Sequence, residues 1–337
     1  MGFLRGGFDE DAARPLAALF ALAPVGLLWS ALRERGRTPA LLAALLWISL
    51  PLLYYWRLPN EDSLLAAYGL VFGHLEGVAR FPDAGPWQRA ASWNLDGTAG
   101  LPLAAFLFGA FLSLSRVRRG TGDRADTICG GLLLAGALLS KNEGLALVPL
   151  LIVALVVTPA GPDRAWSAGL VRLLAAAVLA VALVSAWFVV RRAFPTVDED
   201  YGSRLTPAGL AASLWRAPEV AGTFVRAFGN VLLWNLLWPT FACALAWSLR
   251  RPGRIWRHEA LPAVLVVLGG VGVFFAVLLV TPWDLLELEG TGVPSRLLLQ
   301  LAPLAQFAAI ALWWEPSDQA PGESPGESPG QLAGPNS

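Results

Sequence analysis

The sequence predicts an all-α fold, a polytopic integral membrane protein of about nine transmembrane helices with additional interfacial amphipathic helices. Three observations carry that prediction. Of the 337 residues, 55% are hydrophobic and only 15% are charged, and mean hydropathy is strongly positive, a balance that a soluble domain of this length does not tolerate. Several apolar stretches approach the roughly 20 residues needed to cross a hydrocarbon core of about 30 Å at a rise of about 1.5 Å per residue. The clearest are Leu261 to Val280, Leu170 to Val190, Val231 to Leu249, Leu297 to Trp314, Pro15 to Leu32 and Pro39 to Trp56. Finally, arginines crowd three short connections, as the cytoplasmic loops of membrane proteins do. The alternating pattern of an outer-membrane barrel strand is absent.

The elements follow in order. A span over 15–32 ends at the first arginine cluster, Arg33, Arg35 and Arg37, and a second over 39–57 leads away from it. A span over 101–115 runs into the next cluster, Arg116, Arg118, Arg119 and Arg124. Helices over 127–140 and 144–158 come next, each about 21 to 23 Å long and so too short to cross alone. Their junction, Lys141-Asn142-Glu143-Gly144, therefore belongs at or below the membrane surface. Spans over 169–190, 230–249, 260–280 and 296–314 complete the set, with Arg164 in one inner loop and Arg250, Arg251, Arg254 and Arg257 in another. This arrangement places the N-terminus outside and the tail inside, with long outer connections at 58–100, 191–229 and 281–295. Segments 62–79 and 207–228 combine apolar and charged residues and read as interfacial helices. Residues 1–314 form the membrane domain. The tail at 315–337 repeats PGES twice, a composition expected to stay disordered.

Zero net charge and the lack of a basic, aromatic-laced stripe predict no nucleic-acid partner. Membrane lipids are the expected surroundings. Cys129 and Cys243 lie in apolar runs and read as small buried packing residues. His74 and His258 stand far apart, without a metal-binding motif beside them. No cofactor is implied by a motif, no metal ligands are assigned, and a divalent metal stays open.

Chemistry concentrates in two places. Lys141 is the single lysine against twenty-four arginines, and an ionisable group at membrane depth is costly unless paired or facing water. Glu143 is placed to pair with it and Asn142 to hydrogen-bond a ligand; the alternative is a lysine that snorkels to the headgroups. The second constellation is Thr281-Pro282-Trp283-Asp284, closing one helix, with Ser295 and Arg296 opening the last. A guanidinium at a helix start helps to hold a phosphate, or serves as an interface anchor. Arg191, Arg192, Arg204, Arg216 and Arg226 add positive charge to this side, which invites an anionic lipid-linked ligand or headgroup contact.

The run Leu132 to Leu150 around KNEG, the stretch Gly97 to Ala104, and Thr281 through Pro303 with its S-R-L-L-L-Q core resemble membrane glycosyltransferases of the GT-C superfamily. The nearest branch is that of bacterial proteins related to protein mannosyltransferases and lipid A aminoarabinose transferase. The resemblance covers most of 8–314. It implies transfer of a sugar from a polyprenyl-phosphate donor to an acceptor on the outer face of the bacterial plasma membrane. A carboxylate base would activate the acceptor and basic groups would stabilise the leaving phosphate. Lys141 and Arg296 match positions that would contact that phosphate, with Asn142 and Ser295 as further binding candidates, while Asp96, Glu143 and Asp284 are the acidic candidates. Two departures stand out. The family's acidic first outer loop and its preceding helix have no counterpart, so an upstream span is expected to be missing; Asn60, Glu61 and Asp62 mimic such a loop, but read as the start of the helix at 62–79. The family pattern G-Y-A-D-L-P-L-A reads G-T-A-G-L-P-L-A here, which puts Gly100 where an acid is usual. A catalytically silent protein on the same scaffold is thus the alternative, followed by a transporter or flippase. Oligomeric state is open.

Overall fold

A computed structural model describes residues 22–48, 100–158, 165–192, 204–250, 260–285 and 293–314. Regular structure among these residues is entirely helical. We number the α-helices α1 (Leu22–Leu32), α2 (Arg37–Ile48), α3 (Gly100–Arg118), α4 (Arg124–Ser140), α5 (Gly144–Val157), α6 (Ala165–Arg192), α7 (Pro207–Ser213), α8 (Ala217–Phe228), α9 (Val231–Trp234), α10 (Leu237–Leu249), α11 (Leu261–Val280) and α12 (Val293–Trp313). Short 3-10 turns at Arg33–Arg35 and Leu214–Arg216 join α1 to α2 and α7 to α8. The segments 1–21, 49–99 and 315–337, with the interfacial helix expected at 62–79, lie outside the described residues, as does His258.

Among the described residues, three helices are long and apolar enough to cross a membrane: Ser167–Val189 within α6, α11 and α12. Helices α1, α2, α5 and α10 are apolar but shorter. The chain is therefore a membrane-associated helical protein. Helix α12 is its central column, with 89% of its apolar window buried, whereas only 28% of the α6 window is. Helix α6 packs mainly on α4 and turns Val171, Val178, Val181 and Val189 outward, as a lipid-facing helix does. Phe307 of α12 meets Phe111 of α3 at 5.3 Å and Phe108 at 6.1 Å between ring centroids. On the other side Phe224, Phe228, Trp238 and Phe241 form a chain of ring contacts.

Small residues let the helices approach closely. A Cβ on Gly130 would stand 2.5 Å from the Leu114 side chain, and one on Gly131 would stand 3.0 Å from the Ala176 carbonyl. Both lie where α4 crosses α3 and α6, the place where membrane helices use glycine to bring backbones together.

Most boundaries lie within a few residues of the sequence-based expectation, and the departures have local causes. Helix α4 starts at Arg124, three residues before the expected start, because Asp123 and Asp126 form a reciprocal capping box: the Asp123 carboxylate accepts the Asp126 N–H at 2.9 Å, and the Asp123 N–H donates to Asp126 at 3.2 Å. Asp123→Ala should lower stability by about 1 kcal/mol, the usual worth of such a cap, measurable as a small drop in Tm in detergent. The single helix expected over 230–249 is broken at Asn235 and Leu236 into α9 and α10, with Asn235 in the left-handed region at φ 50°. The segment 207–228, expected at the membrane interface, forms two helices, α7 and α8, with Pro218 in the first turn of the second. Cys129 and Cys243 are free thiols exposed on outer helix faces, correcting the expectation that they are buried packing residues. Each sits on the outward face of its helix, which apolar composition alone does not distinguish from the inward one.

Arginine connections assemble at one end of the bundle. The Arg35 guanidinium donates to the carbonyls of Ala311 and Trp314 at 3.0 and 2.9 Å, and Arg118 donates to those of Leu155 and Thr158 at 2.9 and 3.2 Å. Arg172 donates to Gly122 at 3.0 Å. Burial, then repulsion from Arg119, pulls the Arg35 guanidinium below its usual range, so the connections after α1 and after α3 are neighbours. The Arg35 and Arg118 clamps each place a cation on carbonyls at a helix C-terminus, where the helix dipole favours positive charge, whereas Arg172 holds the loop between α3 and α4.

Candidate functional site

The opposite end of the bundle carries the residues singled out from the sequence. Helix α4 ends at Ser140, Lys141 takes an extended conformation, and α5 begins three residues later at Gly144. The turn is closed by the Gly144 N–H donating to the Lys141 carbonyl and the Leu145 N–H to that of Asn142, both at 3.0 Å. It is tight because Gly144 lies directly against α4: a Cβ there would stand 2.2 Å from the Ala137 carbonyl oxygen. The Lys141 ammonium and the Glu143 carboxylate form the expected ion pair at 3.1 Å, both half-buried. Glu143 occupies the N-cap position of α5, where the dipole favours an anion. Asn142 is exposed.

The depth of this pair follows from the helix register. A Cβ on Gly270 in α11 would meet both Leu147 of α5 and Leu301 of α12, so these three residues share one level. At about 1.5 Å per residue, the end of α11 at Val280 rises about 15 Å above it, the start of α5 at Gly144 about 4.5 Å and Arg296 about 7.5 Å. The ion pair is therefore recessed by about 10 Å from the end of α11 and lies at a depth comparable to that of Arg296.

Helix α12 begins at Val293, so Ser295 and Arg296 sit in its first turn, half-buried. Thr281 is buried, whereas Trp283 and Asp284 are exposed just beyond α11. Asp284 follows the end of α11, whereas Glu143 precedes α5 at a level about 10 Å below that end by helix rise. Asp96 lies outside the described residues.

Sequence reasoning missed the role of Arg216. Grouped there with free positive charge on this side, it is instead a clamp: its Nη1 donates to the carbonyls of Thr281 and Leu279, the latter at 3.5 Å, and its Nη2 to that of Trp283 at 3.0 Å. It ties the α7–α8 segment to the end of α11. Arg226 donates to the Thr223 hydroxyl at 3.3 Å, while Arg204 is exposed. The side chains of Arg191 and Arg192 lie outside the described residues. Among the described residues, no group of three His, Cys, Asp or Glu is placed to hold a metal ion. No family model, curated protein or solved structure matches the chain.

Proposed function

We propose that the chain is a GT-C-like membrane glycosyltransferase that moves a sugar from a polyprenyl-phosphate donor to an acceptor at the outer face of the bacterial plasma membrane. The observation that carries this reading is the recessed Lys141–Glu143 ion pair, half-buried at a junction of two short helices and level with Arg296. In this reading the nine-span topology holds, with the arginine-clamped end in the cytoplasm and the KNEG junction toward the outer leaflet, where a lipid-linked phosphate resides.

The chemistry assigns each residue a part. Lys141 and Arg296 bind the donor phosphate, with Asn142 and Ser295 as hydrogen-bonding groups beside them. The acceptor hydroxyl attacks the anomeric carbon, the bond from that carbon to the phosphate oxygen breaks, and the lipid phosphate leaves as an anion stabilised by the two cations. Glu143 is paired with Lys141, and a phosphate that competes for the ammonium releases Glu143 to take the acceptor proton. Asp284, exposed just beyond the end of α11, is the alternative base.

Proteoliposomes containing the protein and a radiolabelled sugar on polyprenyl phosphate provide the test. Lys141→Ala and Arg296→Ala should each lower transfer by about a hundredfold or more, the usual effect of removing a charge that stabilises a leaving anion, with membrane insertion and Tm retained. Unchanged transfer in both variants removes these residues from the mechanism. A second reading, a catalytically silent scaffold, is favoured by Gly100, which opens α3 where the resembled pattern carries an acid. Wild-type protein that binds the donor and transfers nothing supports that reading.

A further inference from the structure

Helices α4 and α6 run side by side in the same direction, away from the arginine end of the bundle. Arg172 of α6 donates to the Gly122 carbonyl just before α4, and further along, a Cβ on Gly131 of α4 would meet the Ala176 carbonyl and the Leu179 side chain of α6. From that shared level Arg124 lies about 10 Å and Arg172 about 6 Å toward the arginine end by helix rise. Each arginine heads an apolar stripe. On α4, Ile128, Leu132 and Leu139 follow Arg124 at helical spacing, and they are 54%, 52% and 49% exposed. On α6, Leu179 and Leu183 follow Arg172 at the same kind of spacing, half-buried and 46% exposed. Helix α3 packs on both helices and closes the inner side of their seam, so the two stripes flank its outer side.

Charge at the head of the seam is unbalanced. Arg116, Arg118, Arg119, Arg124 and Arg172 stand against Asp123 and Asp126. Both acids already serve the fold, because they cap α4 together and Asp126 also pairs with Arg116 at 2.6 Å. Arg124 is exposed. Arg172 lies inside the apolar span that begins at Ser167, and its guanidinium reaches back to the loop as a snorkelling cation does. A guanidinium has five N–H donors, so Arg172 can hold the Gly122 carbonyl and still meet an anion. Two cations from different helices above one apolar seam match a single kind of molecule, with a phosphate at its head and a hydrocarbon chain below it. We propose that this seam binds an anionic phospholipid of the leaflet at the arginine end, with its phosphodiester between Arg124 and Arg172 and an acyl chain along Ile128, Leu132 and Leu183. Positive charge selects an anionic headgroup over a zwitterionic one, which brings a cation of its own to the same place. The site rests on the helices standing in a bilayer and is independent of sugar transfer.

Native mass spectrometry of the full chain, released from detergent micelles with phosphatidylglycerol or phosphatidylcholine added, reads the affinity for each lipid. Phosphatidylglycerol should bind several-fold more tightly. Arg124→Gln should weaken its binding by about fivefold, the worth of one cation at an anionic headgroup, and leave phosphatidylcholine unaffected. Arg172→Gln should act in the same direction, whereas Arg204→Gln, in the segment clamped to the end of α11, should change neither affinity. Arg172→Gln also removes the bond to Gly122, so if that variant fails to fold, Arg124→Gln, altered at an exposed side chain, decides. Equal affinity for the two lipids, or unchanged phosphatidylglycerol binding in Arg124→Gln, overturns the proposal. So does equal binding of glycerophosphoglycerol, which has the headgroup and no chains, because the site would then take a soluble phosphate. A dimer that forms through this seam and excludes the lipid overturns it as well.

Discussion

Gly144→Ala is expected to destabilise the protein and to open the junction that carries Lys141 and Glu143. Helix propensity argues the other way, because alanine is favoured over glycine by about 1 kcal/mol inside a helix, so the sign of the effect is diagnostic. The added Cβ would stand 2.2 Å from the Ala137 carbonyl oxygen and 2.9 Å from its carbon. Both are backbone atoms, so no side-chain rotation relieves the overlap and α5 must move away from α4. Overpacking of this kind costs about 1–3 kcal/mol, more than the propensity gain. Thermal unfolding in detergent should show a lower Tm. A variant with a raised Tm would mean that the two helices do not approach as described.

Arg118→Ala should produce a comparable or greater loss of stability. The guanidinium is 3% exposed and serves two carbonyls at the end of α5. Hydrogen bonds to a charged group contribute about 1.5–3 kcal/mol each, and the substitution leaves both acceptors in a site that water does not reach easily. A loss of about 3–5 kcal/mol follows, partly offset by relief of the charge's own desolvation. Arg118→Lys should fall between, since a single ammonium on a flexible stem does not reproduce the planar fork. Arg116→Ala provides the contrast. Its ion pair with Asp126 is shorter, at 2.6 Å, but the Arg116 side chain is 51% exposed, and exposed pairs are worth about 1 kcal/mol or less. Equal effects at Arg116 and Arg118 would contradict the view that burial, and not bond length, sets the contribution.

The sequence made the helices legible because runs such as Leu261 to Val280 leave no other means of satisfying the backbone in lipid. The Lys141–Glu143 pair was legible because a lone lysine beside an acid, between two short apolar helices, has few neutral explanations. Other features were hidden for physical reasons. Hydropathy is blind to the break at Asn235, since Leu233, Trp234 and Leu236 are all apolar; the available signal was the asparagine itself, which enters the left-handed region more readily than most residues. Arginine counting could not separate Arg216, bound to three carbonyls, from an exposed charge such as Arg204, because acceptors 63 to 67 residues away leave no local trace. The outward orientation of Cys129 and Cys243 likewise depends on which face of a uniformly apolar helix meets a neighbour.

The Arg35 clamp also has a consequence for biogenesis. Its acceptors lie 276 and 279 residues further along the chain. At a synthesis rate of about 10 residues per second, Arg35 emerges roughly half a minute before Ala311 and Trp314 exist. Throughout that interval the α1–α2 hairpin lacks two of the carbonyls to which its guanidinium donates, and Gln306 has not yet arrived to bond Ala43. The contact that fastens this hairpin to α12 therefore forms only after α12 has been made. A product released before Ala311 would keep α1 to α11 and lack the carbonyls of Ala311 and Trp314 to which Arg35 donates.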